Sequence, residues 1–303
     1  MATNLHDVVA ILRIDRTLRR KRMNSGIKDA EAYTTNIGNY EDRWASPASI
    51  ALEELVDIED SARQRVDHQF RVGESFAGQA PATLAESVRR GSSSHKIPDV
   101  MVQIRCALPF GGAGATTRLL VVTAMAELKR ALSRTLTIDG YPTSEDAVRL
   151  LTEKLQLAMK QVEGQVALYV RTFERNYAPL KIRHHIALMA TCGHWFVLGW
   201  FKEDGTALPN DLPDIPPDPE DEVTYDPALE IPGSTRREFA RHVAHVPIIK
   251  QIVWGLTIYS MKEQKGWNKL QSMRPSFLES LQRFTTSPGT GDLDDCFIAT
   301  WPQ

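Results

Sequence analysis

Residues 98–104 read PDVMVQI and residues 119–129 read LLVVTAMAELK, and the predicted fold is built around these two runs. Both runs are rich in β-branched and other apolar residues and are bounded by Gly, Pro and Ser, which is typical of buried strands. The connection from Pro109 to Thr117 is rich in glycine, so it suits a hairpin. Asp99 opens the first run, and Glu127-Leu128-Lys129 closes the second.

The charged residues of this hairpin predict a metal-dependent hydrolytic site. Magnesium takes carboxylate oxygens and fills its other positions with water, and Asp99 and Glu127 on adjacent strands would hold one ion between them. Alternate residues of a strand share a face, so Glu127 and Lys129 are predicted to point the same way. The Lys129 ammonium would then lie beside a metal-bound water or a phosphate and stabilise developing negative charge.

Pro98-Asp99 followed by Glu127-Leu128-Lys129 resembles the PD-(D/E)xK motif of the restriction-endonuclease-like nuclease superfamily. Glu127 follows Asp99 by 28 residues, which fits two strands and a loop, and the predicted elements follow the β-β-α-β order of the superfamily core. The resemblance covers roughly residues 95–202 and implies an α/β fold, with a small mixed central sheet flanked by helices. It also implies a Mg²⁺- or Mn²⁺-dependent nuclease that hydrolyses phosphodiester bonds of DNA or RNA, similar to nuclease-like proteins of fungi.

A long helix is predicted from Ser144 to Asn176, because apolar residues recur along it at three- and four-residue steps. Gln165 and Tyr169 are four residues apart on one side of that helix and are similar to the Gln-x-x-x-Tyr signature of the RecB-like branch of the superfamily. The resemblance implies that Gln165 helps to position the nucleic acid or the metal-bound water. Two alternatives stay open: Gln165 is a polar residue at the edge of the core, or Gln161 is the functional glutamine.

A third acidic metal ligand is also implied, since members of the superfamily often take one from a helix that precedes the core. Helices are predicted over residues 47–70 and 81–90, and they supply three candidates: Glu54, Glu59 and Glu86. Acidic residues in such helices more commonly form the solvated face, so the sequence does not choose among the three.

A second hairpin is predicted after the long helix. Residues 180–190 and 195–201 form two strand-like runs joined by Thr191-Cys192-Gly193-His194. Four residues in it are of types that bind zinc: His184, His185, Cys192 and His194. Zinc sites usually need four well-spaced ligands, and the turn offers only a Cys-Gly-His sequence, so the preferred interpretation is a hairpin with incidental histidines.

The predicted organisation has four parts. Residues 1–92 form an N-terminal helical layer, which begins with a helix over 5–22 and a basic cluster at its end. Residues 93–205 form the nuclease-like core. Residues 206–233, rich in Pro, Asp and Glu, form an extended loop or linker. Residues 234–303 form a mostly helical C-terminal segment that packs on the core.

The composition places limits on function. The formal net charge of −2 gives no global attraction to nucleic acid, so any basic surface is local. The three cysteines lack zinc-type spacing, and no long apolar run is present, so the chain is predicted to be a reduced intracellular protein of the cytoplasm or nucleus. Nucleic acid is the predicted partner, with a membrane excluded and a homodimer left open.

Two other classes of function stay open. One is a catalytically inactive nuclease fold that binds nucleic acid or protein, because no certain third acid is visible. The other is a helical structural protein, such as a viral coat or nucleoprotein component, in which the motif is accidental.

Overall fold

A computed structural model of the chain describes residues 5–32, 34–36, 41–54, 64–68, 99–109, 116–177, 183–205, 208 and 245–273. Four helices lie in these ranges: α1 is Leu5–Glu31, α2 is Ala45–Glu53, α3 is Glu145–Tyr177, and α4 covers residues 264–273. Single 3₁₀ turns cover Glu41–Trp44 and Arg134–Leu136. Within these ranges, none of the helices combines the length and the apolar character that crossing a membrane requires.

Nine strands lie in the same ranges. They are β1 Gln64–His68, β2 Val100–Pro109, β3 Thr116–Glu127, β4 Thr137–Ile138, β5 Tyr141–Pro142, β6 His185–Cys192, β7 Trp195–Lys202, β8 Ile252–Trp254 and β9 Tyr259–Ser260. The main sheet has the order β1-β2-β3-β6-β7-β8, and β9 also pairs with β7. The β3–β6 pair is parallel and the other pairs are antiparallel. The predicted α/β class with a mixed sheet is therefore confirmed.

Helices cover both faces of the main sheet. On one face, α3 packs on residues such as Met101, Met125 and Leu188. On the other face, α1, α2 and α4 pack on a second apolar cluster that includes Ala126 and Met189. The described residues thus form three layers with the sheet in the middle, and the end of β3 lies between the two helical layers.

Helix α3 forms where the apolar periodicity predicts it. The Ser144 hydroxyl accepts a hydrogen bond from the Ala147 N–H at 3.1 Å, and Glu145 and Asp146 occupy the first turn. A hydroxyl cap and early acidic residues satisfy and complement the free N–H groups of a helix start. The predicted hairpin is also confirmed, since β6 and β7 pair from His185↔Lys202 to Cys192↔Trp195.

Two helix predictions are wrong in part. Helix α1 continues nine residues beyond the predicted end, to Glu31, because Met23, Ile27 and Ala30 bury on the sheet. The helix predicted over 47–70 does not hold as a whole, because α2 ends at Glu53 and residues 64–68 form a strand that pairs with β2. A polar strand of this kind is stabilised by the ladder it joins, which local sequence does not reveal.

The C-terminal segment is predicted to be mostly helical, with a strand left open for part of its apolar run 248–259. Its described part, residues 245–273, contributes β8 and β9 to the sheet before α4 begins. Ile252 and Trp254 are buried and Val253 is exposed, which is the period of a strand. The helix predicted over 81–90 and all of 206–233 except Leu208 lie outside the described residues, and the domain boundaries stay predictions.

Candidate active site

The pairing of β2 with β3 brings Asp99 and Glu127 to the same end of the sheet. Val100 lies opposite Ala126, so the next step of the register places Asp99 opposite Glu127. The Asp99 Oδ2 atom accepts a hydrogen bond from the Leu128 N–H at 2.7 Å, which holds the half-buried carboxylate against the end of β3. The two acidic residues predicted from the sequence are therefore neighbours.

Lys129 lies beside Glu127, as the sequence predicts. Its Nζ atom is 3.4 Å from Glu127 Oε1 and 3.6 Å from Glu41 Oε1. Its backbone extends the pairing with β6, since its N–H donates to the Thr191 carbonyl and its own carbonyl accepts from the Gly193 N–H, both at 2.9 Å. The backbone that carries the ammonium is thus fixed by two hydrogen bonds to the end of β6 and the turn that follows it.

Gly193 allows this close approach of the β6–β7 turn to the end of β3. Its φ is 59°, and a Cβ atom there would lie 2.7 Å from the Ala131 Cβ. Any other residue would meet both a strained backbone conformation and a steric overlap. The turn is therefore fixed against the segment that carries Lys129.

Gln165 reaches the same carboxylate from α3. Its Nε2 atom donates to Glu127 Oε2 at 2.6 Å, and its side chain is almost completely buried. Of the two glutamines considered from the sequence, Gln165 is the one that contacts the acidic cluster.

Burial raises the pKa of Glu127 to about 8, and the neighbouring Asp99 charge acts in the same direction. Lys129 and the hydrogen bond from Gln165 lower that pKa, and Glu41 raises it further. Glu127 is only 7% exposed, so loss of solvation of its charged form is the largest effect. A strongly shifted carboxyl group beside a lysine and other acids is a recurrent property of functional sites.

Glu41 is the acidic neighbour that sequence reasoning missed. It begins the 3₁₀ turn before α2, 28% of its side chain is exposed, and it is the second carboxylate beside the Lys129 ammonium. Glu54, a predicted candidate, instead forms a buried ion pair with Arg19 at 3.2 Å. The other two candidates, Glu59 and Glu86, lie outside the described residues.

The donor set fits a hard divalent cation. Asp99, Glu127 and Glu41 offer carboxylate oxygens, which Mg²⁺ and Mn²⁺ prefer over sulfur ligands. In the part of the chain that the structure describes, no three Asp, Glu, His or Cys residues already form a group that could hold a metal ion. Mg²⁺ sites commonly use one or two protein carboxylates, with water and substrate phosphate completing the shell. Asp99 and Glu127 would suffice for such a site.

Two residues of the second hairpin, His194 and Cys192, form hydrogen bonds within the fold. His194 bonds to the Ser260 hydroxyl at 2.9 Å and to the Gly140 carbonyl at 3.0 Å, and the Cys192 thiol donates to the Arg130 carbonyl. His184 is buried against the rings of Tyr169 and Phe173, and burial lowers its pKa to about 3. The interpretation of the hairpin histidines as incidental to metal binding stays a prediction.

A cavity of about 360 Å³ is lined by residues close in sequence to the acidic cluster, although Asp99, Glu127, Lys129 and Glu41 are not part of its lining. Trp44, which lines it, is on the same 3₁₀ turn as Glu41, and Ala131 of its wall follows Lys129 by two residues. Lys28 and Arg134 add positive charge to the lining, and Glu31 and Asp139 add negative charge. The cavity has the size of spaces that small ligands occupy. No protein-family model, no curated protein and no solved structure matches the chain.

Proposed function

We propose that the protein is a metal-dependent nuclease of the PD-(D/E)xK type that hydrolyses phosphodiester bonds in DNA or RNA. The observation that carries the proposal is the convergence on Glu127. Asp99, Lys129 and Gln165 were each predicted from the sequence as site residues, and each interacts with Glu127 or with the end of the strand that carries it.

The order of the elements supports the same proposal. The antiparallel strands β1, β2 and β3 are followed by α3 and then by β6, which pairs parallel to β3. Sequential helices and strands in this β-β-α-β order are what the resemblance to the restriction-endonuclease-like core implies. Asp99 lies where β2 begins and Glu127 lies where β3 ends, so both are at the same end of these two strands.

Each side chain has a distinct role in the proposed reaction. When bound, Mg²⁺ or Mn²⁺ supplies Lewis-acid stabilisation of the phosphate and a reactive water. Asp99 and Glu127 would hold the ion, and Gln165 fixes one oxygen of Glu127 while the other oxygen lies beside Lys129. The Lys129 ammonium stabilises negative charge on the phosphate oxygens. Glu41 balances the Lys129 charge before substrate binds.

The phosphate approaches on the side of Asp99 and Glu41. Both are partly exposed, whereas Glu127 and Lys129 are only 7% and 4% exposed. A buried carboxylate and ammonium lie in an environment of low effective dielectric, where their interaction with a developing charge is stronger than in water.

The test is Mg²⁺- and Mn²⁺-dependent cleavage of supercoiled DNA and of single-stranded RNA. Glu127→Gln and Lys129→Met should each reduce the rate by about 10³-fold or more, because several kcal/mol of transition-state stabilisation are lost. Glu54→Gln and Lys154→Met are matched controls, since they remove a buried carboxylate and a buried ammonium elsewhere. Both controls should retain cleavage.

Two outcomes would contradict the proposal. Cleavage that survives both site substitutions would mean that these residues do not carry the reaction. A wild-type protein that cleaves neither substrate with either metal, yet binds an oligonucleotide, would instead be the inactive nuclease fold.

A further inference from the structure

The pairing of β2 with β3 contains an irregularity four residues before Glu127. Val102 lies opposite Ala124, but Gln103 lies opposite Val122, so Thr123 has no residue opposite it. One extra residue on one strand of an antiparallel pair is a β-bulge. The Thr123 hydroxyl donates to the Val102 carbonyl at 3.3 Å, which ties the extra residue to the partner strand.

The bulge changes which side chains of β3 face α3. Met125 lies opposite Met101 and Val122 lies opposite Gln103, two positions further along β2, so Val122 and Met125 share a face although they are three residues apart. Ala124 and Ala126 belong to the cluster on the opposite face. In a regular strand, residues that share a face are separated by an even number of positions, so the alternation has shifted by one residue at Thr123.

The shift decides the direction of Glu127. Glu127 is two residues after Met125 and therefore shares the α3 face, where Gln165 donates to it. If regular alternation continued from Val122 to the end of the strand, Glu127 would point to the α1 and α2 face instead. The bulge must therefore lie before Glu127 for the acidic cluster to form.

Tyr169 holds the strand at this irregularity. The Val122 N–H donates to the Tyr169 hydroxyl at 3.0 Å, and the tyrosine is completely buried. A buried N–H group at a disrupted ladder is costly to leave without an acceptor. Gln165 and Tyr169 are one turn apart on the same face of α3, so the helix holds β3 at two points, the bulge and the carboxylate.

We infer that Tyr169 is a positioning residue for the acidic cluster: its hydroxyl keeps the bulge at Thr123 and so keeps Glu127 on the face of Asp99 and Gln165. That this positioning matters for catalysis rests on the proposed function. That Tyr169 sets the face of Glu127 does not, because the direction of the Glu127 side chain is measurable without metal or substrate.

The experiment compares Tyr169→Phe with Tyr141→Phe. The first substitution keeps the ring and removes the hydroxyl at the bulge. The second removes a hydroxyl that donates to Glu263 at 3.1 Å, a contact that does not involve β3. Mn²⁺ affinity is measured without nucleic acid, and NMR of the metal-free protein follows Val122 amide exchange and the nuclear Overhauser contact between the Gln165 amide and Glu127.

In Tyr169→Phe, the Val122 amide should exchange about tenfold faster or more, and the contact between Gln165 and Glu127 should weaken or split into two signals. Mn²⁺ should bind about 10- to 100-fold more weakly, which is the usual effect of losing a group that orients metal ligands. Tyr141→Phe should leave all three readouts near their wild-type values. Should Tyr169→Phe fail to fold, Thr123→Val tests the same bulge from the other side, with the same expected directions.

An unchanged contact between Gln165 and Glu127 in folded Tyr169→Phe would overturn the inference, as would wild-type Mn²⁺ affinity in that variant. Failure of the proposed function looks different, because the wild-type protein itself would then bind no Mn²⁺ and cleave no nucleic acid. Even if the wild-type protein binds no Mn²⁺, the nuclear Overhauser contact between Gln165 and Glu127 in the metal-free protein still tests the role of Tyr169.

Discussion

Glu127→Gln is expected to change how the free energy of unfolding depends on pH. Glutamine keeps the shape of the side chain and removes its proton equilibrium. The wild-type carboxyl has its pKa raised from 4.5 to about 8, chiefly by burial. The folded protein therefore holds the Glu127 proton more tightly than the unfolded chain does.

The sign of the effect follows from that difference. An acid with a raised pKa contributes stability that is fully present below about pH 4.5 and is lost as the pH rises through about 8. Each pH unit in this interval removes about 1.4 kcal/mol, so the whole interval corresponds to roughly 5 kcal/mol. The variant has no such loss, so its stability relative to wild type increases steadily with pH.

At low pH, Glu127→Gln should be slightly less stable than wild type, by less than the roughly 5 kcal/mol that wild type loses as the pH rises. Glu127 accepts from Gln165 with one oxygen and lies beside the Lys129 ammonium with the other. At low pH the Glu127 carboxyl is protonated, and its hydroxyl oxygen can still accept from a donor, whereas the amide NH2 group of glutamine cannot; this loss costs about 1 kcal/mol. The two stability curves should therefore cross at roughly pH 5 to 6, and the variant should be the more stable protein by several kcal/mol at about pH 8.

Urea denaturation at about pH 5, 6, 7 and 8, at constant ionic strength and without divalent metal, measures the difference directly. Titrating groups that do not interact with Glu127 are common to both proteins and cancel in the comparison, so the difference reports Glu127 together with its neighbours Asp99, Lys129 and Glu41. Glu54→Gln is the control for removal of a buried carboxylate, and it should be destabilised at every pH because the ion pair with Arg19 is lost. A constant difference between wild type and Glu127→Gln across this range would refute the reasoning.

Two further predictions concern buried groups outside the candidate site. The pKa of His184 is lowered from 6.5 to about 3 in the folded protein, so the unfolded chain takes up a proton first. The free energy of unfolding should therefore fall by about 1.4 kcal/mol for each pH unit below about 6.5. His184→Met removes this proton equilibrium, so it should move the midpoint of acid unfolding to lower pH. Glu163 accepts from His245 at 2.8 Å and from the Trp254 indole at 2.6 Å, so Glu163→Ala should destabilise the protein by about 3 kcal/mol or more in urea. Glu153→Ala is the control at an exposed position of the same helix, and it should change the free energy of unfolding by less than about 0.5 kcal/mol. A loss of similar size in Glu153→Ala and Glu163→Ala would contradict the role given to Glu163.

Local sequence patterns were sufficient to predict the elements that carry the motif. The β2–β3 hairpin follows from two apolar runs around a glycine-rich connection, and α3 follows from its apolar periodicity. Those two predictions already place Asp99, Glu127 and Gln165 on adjacent elements. Side-chain alternation then predicts that Lys129 lies beside Glu127, as the 3.4 Å distance between their charged groups shows.

Tertiary contacts determine the remaining features. Glu41 is 86 positions before Glu127 in the chain, and only the packing of α2 on the sheet brings its turn to Lys129. Strand β1 is polar, and it is stabilised by its hydrogen bonds to β2. Because its own sequence lacks a strand pattern, it is predicted as the end of the helix over 47–70. The bulge at Thr123 shifts the alternation by one residue, whereas sequence reasoning assumed an unbroken strand up to Glu127.

Helix α3 connects these features, because it is buried on more than one side. From Val162 to Val170 all residues except Leu168 are buried. One side of the helix holds β3 through Gln165 and Tyr169, and the carboxylate of Glu163 holds the segment that leads into β8. A helix packed in this way has little freedom to rotate or slide. The described part of the C-terminal segment, residues 245–273, therefore supports the acidic cluster indirectly, because it holds in place the helix that positions Glu127.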